Sequence, residues 1–156
     1  MSQTDVFNQV LAEANSVFAA EAESVADNYP EPGTYVVLLT RIVRSVRERK
    51  RDGSKYASWR FQLRCIEEGE YQGAEFPMYM SSAATWNFGY IKSLVHMATG
   101  AECPDDIQKA DKLLDQVVGK LLQVKIRANK NRDIPDVFVL EVLGDADEEV
   151  KGQDPF

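Results

Sequence analysis

Nine basic side chains fall within 24 positions: Arg41, Arg44, Arg47, Arg49, Lys50, Arg51, Lys55, Arg60 and Arg64, against only Glu48 and Asp52. Cations at this density suit closely spaced negative charges, and a phosphate backbone supplies those together with counterions released on contact. A second basic group, Lys125, Arg127, Lys130 and Arg132, follows nearer the end of the chain. Aromatic rings would complete a surface for single strands, because a base stacked on an exposed ring gains about 1–3 kcal/mol with little sequence preference. Tyr56 sits inside the first basic group and Tyr79 beyond it; Trp59 lies in the same stretch. The plain alternative for the first group is a solvated charged loop.

Other chemistry is sparse. His96 is the single histidine, and Cys65 and Cys103 form no CxxC pair. That set cannot complete a usual zinc cluster, so the cysteines read as reduced thiols of a cytosolic protein. Asp105 and Asp106 flank a loop, and Asp111 and Asp115 lie four apart, which reads as a solvated helix face rather than a metal or acid–base site. There is no Gly-rich phosphate loop, GxSxG or HExxH. The expectation is a non-catalytic protein with no cofactor and no metal.

The elements that would position the basic groups can be read from periodicity. Thr4 or Asp5 can cap a first helix running to about Ala26, with Val6, Val10 and Val17 on one stripe, and Pro30, Pro32 and Gly33 ending it. From Gly33 the period becomes two. A long strand over Tyr35–Val43 leads into a charged turn around Asp52-Gly53, a strong hairpin signal. A second strand over Tyr56–Ile66 follows. Ala57, Trp59, Phe61, Leu63 and Cys65 share the face read as core, and Tyr56, Ser58, Arg60, Gln62 and Arg64 share a face read as exposed and cationic. Tyr71–Met80 gives a third strand, bulged near Gly73 and edged by Pro77, with Tyr71 a weaker stacking candidate. Trp86, Tyr90, Leu94 and Met97 fall at helical spacing before Gly100, and Trp86, Phe88 and Tyr90 read as packing residues. A short helix over Ile107–Val118 precedes a fourth strand over Lys120–Ala128 and a fifth over 134–143, with Phe138 read as core.

Three strands, a helical segment and two strands is the order of a five-stranded oligonucleotide/oligosaccharide-binding (OB) barrel, in which the 1–2 and 4–5 loops flank one groove. The fold class expected is therefore mainly β. The N-terminal helix occupies 1–30, the barrel 31–144, and an acidic tail 145–156. Charge is divided accordingly. The chain carries −7 overall, but residues 1–33 hold six acids and no Lys or Arg, residues 145–156 hold five acids and one Lys, and the segment between holds 17 basic against 14 acidic residues. The overall charge alone would argue against nucleic acid; its distribution reverses that reading. The chain starts without a basic leader and has no apolar run of membrane-spanning length, so a cytoplasmic protein is expected.

The chain resembles the single-stranded DNA-binding proteins of bacteria and phages. Pro32-Gly33-Thr34-Tyr35 through Lys55-Tyr56, then Phe61-Gln62-Leu63-Arg64 and Glu70-Tyr71-Gln72-Gly73, are similar to a phage family that opens its barrel with a Gly-x-Tyr strand and carries a Tyr-x-Gly turn before the third strand. These short motifs cover the first half of the barrel. The tip Asp154-Pro155-Phe156 and the acids Asp147, Glu148 and Glu149 match the acidic tail of bacterial members. The acidic run is shorter here, Lys151 interrupts it, and little linker follows Leu143. The N-terminal helix is also outside the usual bacterial arrangement. The resemblance implies sequence-independent binding and protection of single-stranded DNA in replication, recombination or repair, in a bacterial or phage-infected cell. It also implies a tip that docks on replication or recombination proteins and competes with DNA. A homo-oligomer is compatible with the sequence. A protein-interaction module on the same barrel and a single-stranded RNA binder are the alternatives.

Overall fold

Five strands pair into one antiparallel sheet: β1 (Gly33–Glu48), β2 (Lys55–Cys65), β3 (Glu75–Ser81), β4 (Lys120–Arg127) and β5 (Asp136–Asp145), in the order β3-β2-β1-β4-β5. The computed structural model describes residues 3–15 and 29–146. The tip residues Asp147, Glu148, Glu149, Asp154, Pro155 and Phe156 lie outside the described residues, as does the expected run of the first helix from residue 16 to Ala26. Three α-helices are described: α1 (Gln3–Glu13), α2 (Asn87–Thr99) and α3 (Ile107–Leu114), the last followed by a 3-10 turn at Asp115–Val117. No described helix is long and apolar enough to cross a membrane.

The sheet is open. Strands β3 and β5 stand at its two ends with no ladder between them, so the closed barrel expected from the strand order is not seen. Alternation builds the core. Val37, Leu39, Phe61, Leu63, Phe76, Leu122, Val124 and Ile126 point to one side and are almost wholly removed from solvent. Ile91, Leu94 and Val95 of α2 and Ala110 and Leu114 of α3 close over them. Each such side chain contributes roughly 1.5–3 kcal/mol of apolar transfer. Gly100 ends α2 at φ 73°, a left-handed conformation in which a Cβ is disfavoured. Asp106 caps α3 by accepting from the Gln108 and Lys109 backbone N–H groups at 2.8 and 3.2 Å, while Asp105 faces Lys92 at 3.8 Å.

Three boundaries depart from the sequence reading. β1 runs five residues past Val43, paired with β2 as far as Glu48 opposite Lys55, and it carries a bulge: Leu39 pairs with Leu63 but Arg41 with Gln62, leaving Thr40 as the extra residue, its hydroxyl donating to the Gln62 carbonyl at 3.1 Å. β3 begins at Glu75, since Gly73 (φ 85°) makes the turn and its N–H returns to the Cys65 carbonyl at 2.8 Å. Tyr71 lies before that strand and packs edge-on against Tyr35. Pro77 sits inside β3, which an end strand tolerates because one backbone edge needs no N–H partner. β5 takes in Asp145, which pairs with Lys120, and Ala146 is buried with its N–H on the Gly119 carbonyl. Of the expected tail, Asp145 thus belongs to the sheet and Ala146 packs directly after it.

Candidate nucleic-acid interface

The β1–β2 hairpin carries the first basic group out of the domain. Its tip is closed by Arg49 N–H to the Ser54 carbonyl and Gly53 N–H to the Arg49 carbonyl, both 2.9 Å, with Gly53 at φ 73°. Asp52 accepts the Ser54 hydroxyl at 2.7 Å and the Ser54 N–H at 2.9 Å, and these bonds hold its carboxyl below the usual carboxylate range. Arg47 faces Tyr56 across the hairpin. Arg47, Arg49, Lys50, Arg51 and Tyr56 line an open cleft of about 710 Å³ whose floor includes Ser81 and Ala83. Arg49 donates to the Ala83 carbonyl at 3.3 Å, which ties the tip to the segment after β3. Lys55, opposite Glu48, and Arg41, just past the bulge, are exposed beside this cleft's strands.

Three members of the sequence-derived set are committed elsewhere. Trp59 is buried in the core, and its indole N–H donates to Asp111 Oδ1 at 2.7 Å. The same carboxylate oxygen receives Arg44 Nε at 2.7 Å, while Arg44 Nη2 reaches Asp115 Oδ1 and the Asp111 carbonyl, each at 2.9 Å. Burial alone would depress the Arg44 pKa; the bonds and charges of Asp111 and Asp115 outweigh it and hold the guanidinium above its ordinary value. Asp111 and Asp115 thus anchor α3 to the hairpin. Arg64 is the third: it is 6% exposed, as Gln62 and Ser58 are also buried, so the face of β2 read as an open cationic surface is covered over most of its length. Arg60, half-buried, lies opposite Tyr79 of β3 and is the remaining cation of that face near solvent.

The second basic group borders a different feature. Where the sheet fails to close, a groove of about 410 Å³ lies between β3 and β5 under α2. Trp86, Tyr90 and Phe138 run along it as a chain of rings, with centroids 5.9 and 6.0 Å apart. Trp86 is 67% exposed, and Tyr90 and Tyr79 about 41–42%, so these rings are only partly packed. Arg127 lies over the Phe138 ring at 5.1 Å, a cation–π contact, and Arg132 joins it from the β4–β5 turn. Lys125, opposite Phe138, and Lys130 are exposed next to the groove.

Sequence reasoning placed Trp86, Tyr90 and Phe138 in the core, and their helical or strand spacing carried no contrary signal. The two basic groups border separate hollows that share no lining residue, and the segment after β3 runs from one to the other. Ser81 and Ala83 line the hairpin cleft, and Trp86 and Asn87 line the groove. Asn87, buried, donates to the Ser81 carbonyl at 3.2 Å and fixes that step. Three residues from Ala83 to Trp86 span at most about 11 Å. Among the described residues no three His, Cys, Asp or Glu side chains gather as a metal site. No family model matches the chain, and no curated relative is found for it.

Proposed function

We propose that this protein binds single-stranded DNA without catalysis, largely independent of sequence, and protects it during replication, recombination or repair. The observation that carries the reading is the partly exposed ring series Trp86–Tyr90–Phe138, flanked by Arg127 and Arg132, with a second, separate basic cleft of Arg47, Arg49, Lys50, Arg51 and Tyr56 on the same domain. Cations along a groove and rings for bases are the two parts a single-strand binder needs, and duplex DNA cannot offer unstacked faces to the rings. The strand order supports an OB-type barrel opened between β3 and β5, with the 1–2 and 4–5 loops at the two cavities. The tip Asp154-Pro155-Phe156 is the proposed contact for replication or recombination proteins.

Tryptophan fluorescence during titration with a dT oligonucleotide tests the proposal. Quenching is expected at low salt, with recovery at high salt and little response to duplex. Trp86→Phe removes the quench and Trp59→Phe keeps it. Trp86→Ala weakens binding by about 5- to 150-fold, the loss of one stacked base. Absence of binding at low salt, or equal affinity for duplex, would overturn the reading; matched DNA and RNA strands in competition decide between the two polymers.

A further inference from the structure

One group in the aromatic groove has the wrong sign for phosphate. Asp136 lines it, two residues before Phe138 and on the same side of β5. Its carboxylate is about 22% exposed. Asn129 Nδ2 donates to both its oxygens at 3.2 Å, and the Asn129 amide is itself set by the Asn131 N–H bonding its Oδ1 at 2.9 Å. Arg127 stands 4.0 Å away, mostly exposed and directed over Phe138. The carboxylate is therefore held in one orientation at the groove wall with lone pairs to spare, since two oxygens offer about four acceptor sites.

Arg127 and Arg132 in the same groove suit phosphates, while the Asp136 carboxylate repels them and suits base edges that carry donors. A carboxylate is an acceptor only, so it favours the edge with the most adjacent donors. Guanine alone presents two, the ring N1–H beside the N2 amino group. Adenine and cytosine present one amino donor next to an acceptor nitrogen, and thymine one N–H between two carbonyls. We propose that Asp136 makes the groove a guanine-preferring base pocket within an otherwise sequence-tolerant surface. This inference rests on the single-strand reading above.

The test measures affinity for dT tracts carrying dG, dA or dC at every third position, a spacing that leaves no guanine run to fold on itself. The dG tract is expected to bind roughly tenfold tighter than the dA and dC tracts, with plain dT weakest, the discrimination one bidentate pair supplies. Asp136→Asn keeps the side-chain shape and the Asn129 contact but replaces an acceptor by a donor. It is expected to abolish the guanine preference and raise dA and dC relative to dG, leaving plain dT within about twofold. Equal wild-type affinity for all four tracts, or a guanine preference that survives in Asp136→Asn, overturns the inference and leaves the single-strand reading standing. Failure of every tract to bind defeats the single-strand reading, and this inference with it. The wild-type rank order needs no variant, so equal affinities refute the inference even where Asp136→Asn fails to fold, and Asp136→Ala then serves as the second variant that must lose the guanine preference.

Discussion

Asp111→Ala is the substitution that best separates scaffold from surface. It removes one carboxylate that serves two donors: the indole N–H of Trp59, a residue 4% exposed, and Arg44 Nε. A buried N–H left without an acceptor costs about 1–3 kcal/mol. The Arg44 part is smaller, about 0–1 kcal/mol, because that side chain is 35% exposed and keeps the Asp115 carboxylate and the residue 111 carbonyl. The expected loss is about 1–4 kcal/mol, a large share of an ordinary domain stability of about 5–15 kcal/mol. Urea unfolding followed by far-ultraviolet circular dichroism reads it as a midpoint lowered by roughly 1 M or more. A double-mutant cycle with Trp59→Phe, which keeps an aromatic ring but deletes the donor and part of the indole's volume, cancels the packing loss and isolates the indole bond; coupling of about 1–2 kcal/mol is expected. The dT affinity of folded Asp111→Ala stays unchanged, since none of these groups borders the groove. A loss below about 0.5 kcal/mol, the ordinary effect of a surface change, or absent coupling, would refute the role assigned to this anchor.

Two further outcomes are expected. Removing residues 147–156 takes away Asp147, Glu148, Glu149 and Asp154 against one Lys and spares the strand residue Asp145 and the buried Ala146. Single-strand affinity at low salt rises if that segment competes for the cations, and unchanged affinity in a fluorescence titration shows that it does not. Burial pushes the Cys65 thiol above its ordinary value, so the folded state holds the proton that the unfolded chain gives up first. The resulting stability is fully present below about pH 8.5 and is lost as the pH rises through the folded value. The unfolding midpoint should fall less steeply at alkaline pH in Cys65→Ala, and an identical slope would count against burial of that thiol.

Periodicity made much of the scaffold legible. Leu122, Val124 and Ile126 lie on the buried side of β4 as their alternation requires, and Asp52-Gly53 and Gly100 stand where a turn and a helix end need them. Alternation tells which residues share a face but not whether that face is covered. Ser58, Gln62 and Arg64 share one with Tyr56 and are nonetheless buried. The groove was illegible for a related reason. Trp86 and Tyr90 have the spacing of core residues, and they line open space because the sheet stops at β3 and β5 instead of closing beneath α2. That property belongs to the whole sheet, and no local window of sequence contains it. The Asp111–Asp115 spacing signalled a helix face, while the arginine it holds comes from 67 residues earlier.

The extra residue at Thr40 sets the phase of everything downstream on β1. Before it, odd positions Val37 and Leu39 face the core; after it, even positions Ile42 and Arg44 take that side beside Phe61 and Trp59. Arg47 is thereby odd in an interval where odd means outward, and so meets Tyr56, while Arg44 meets Asp111. Deleting one residue at the bulge would interchange the two sets of arginines without altering the composition of the hairpin. The charge pattern of this arm is a parity code, and homologues that differ there by a single insertion should be aligned by face before their basic residues are compared.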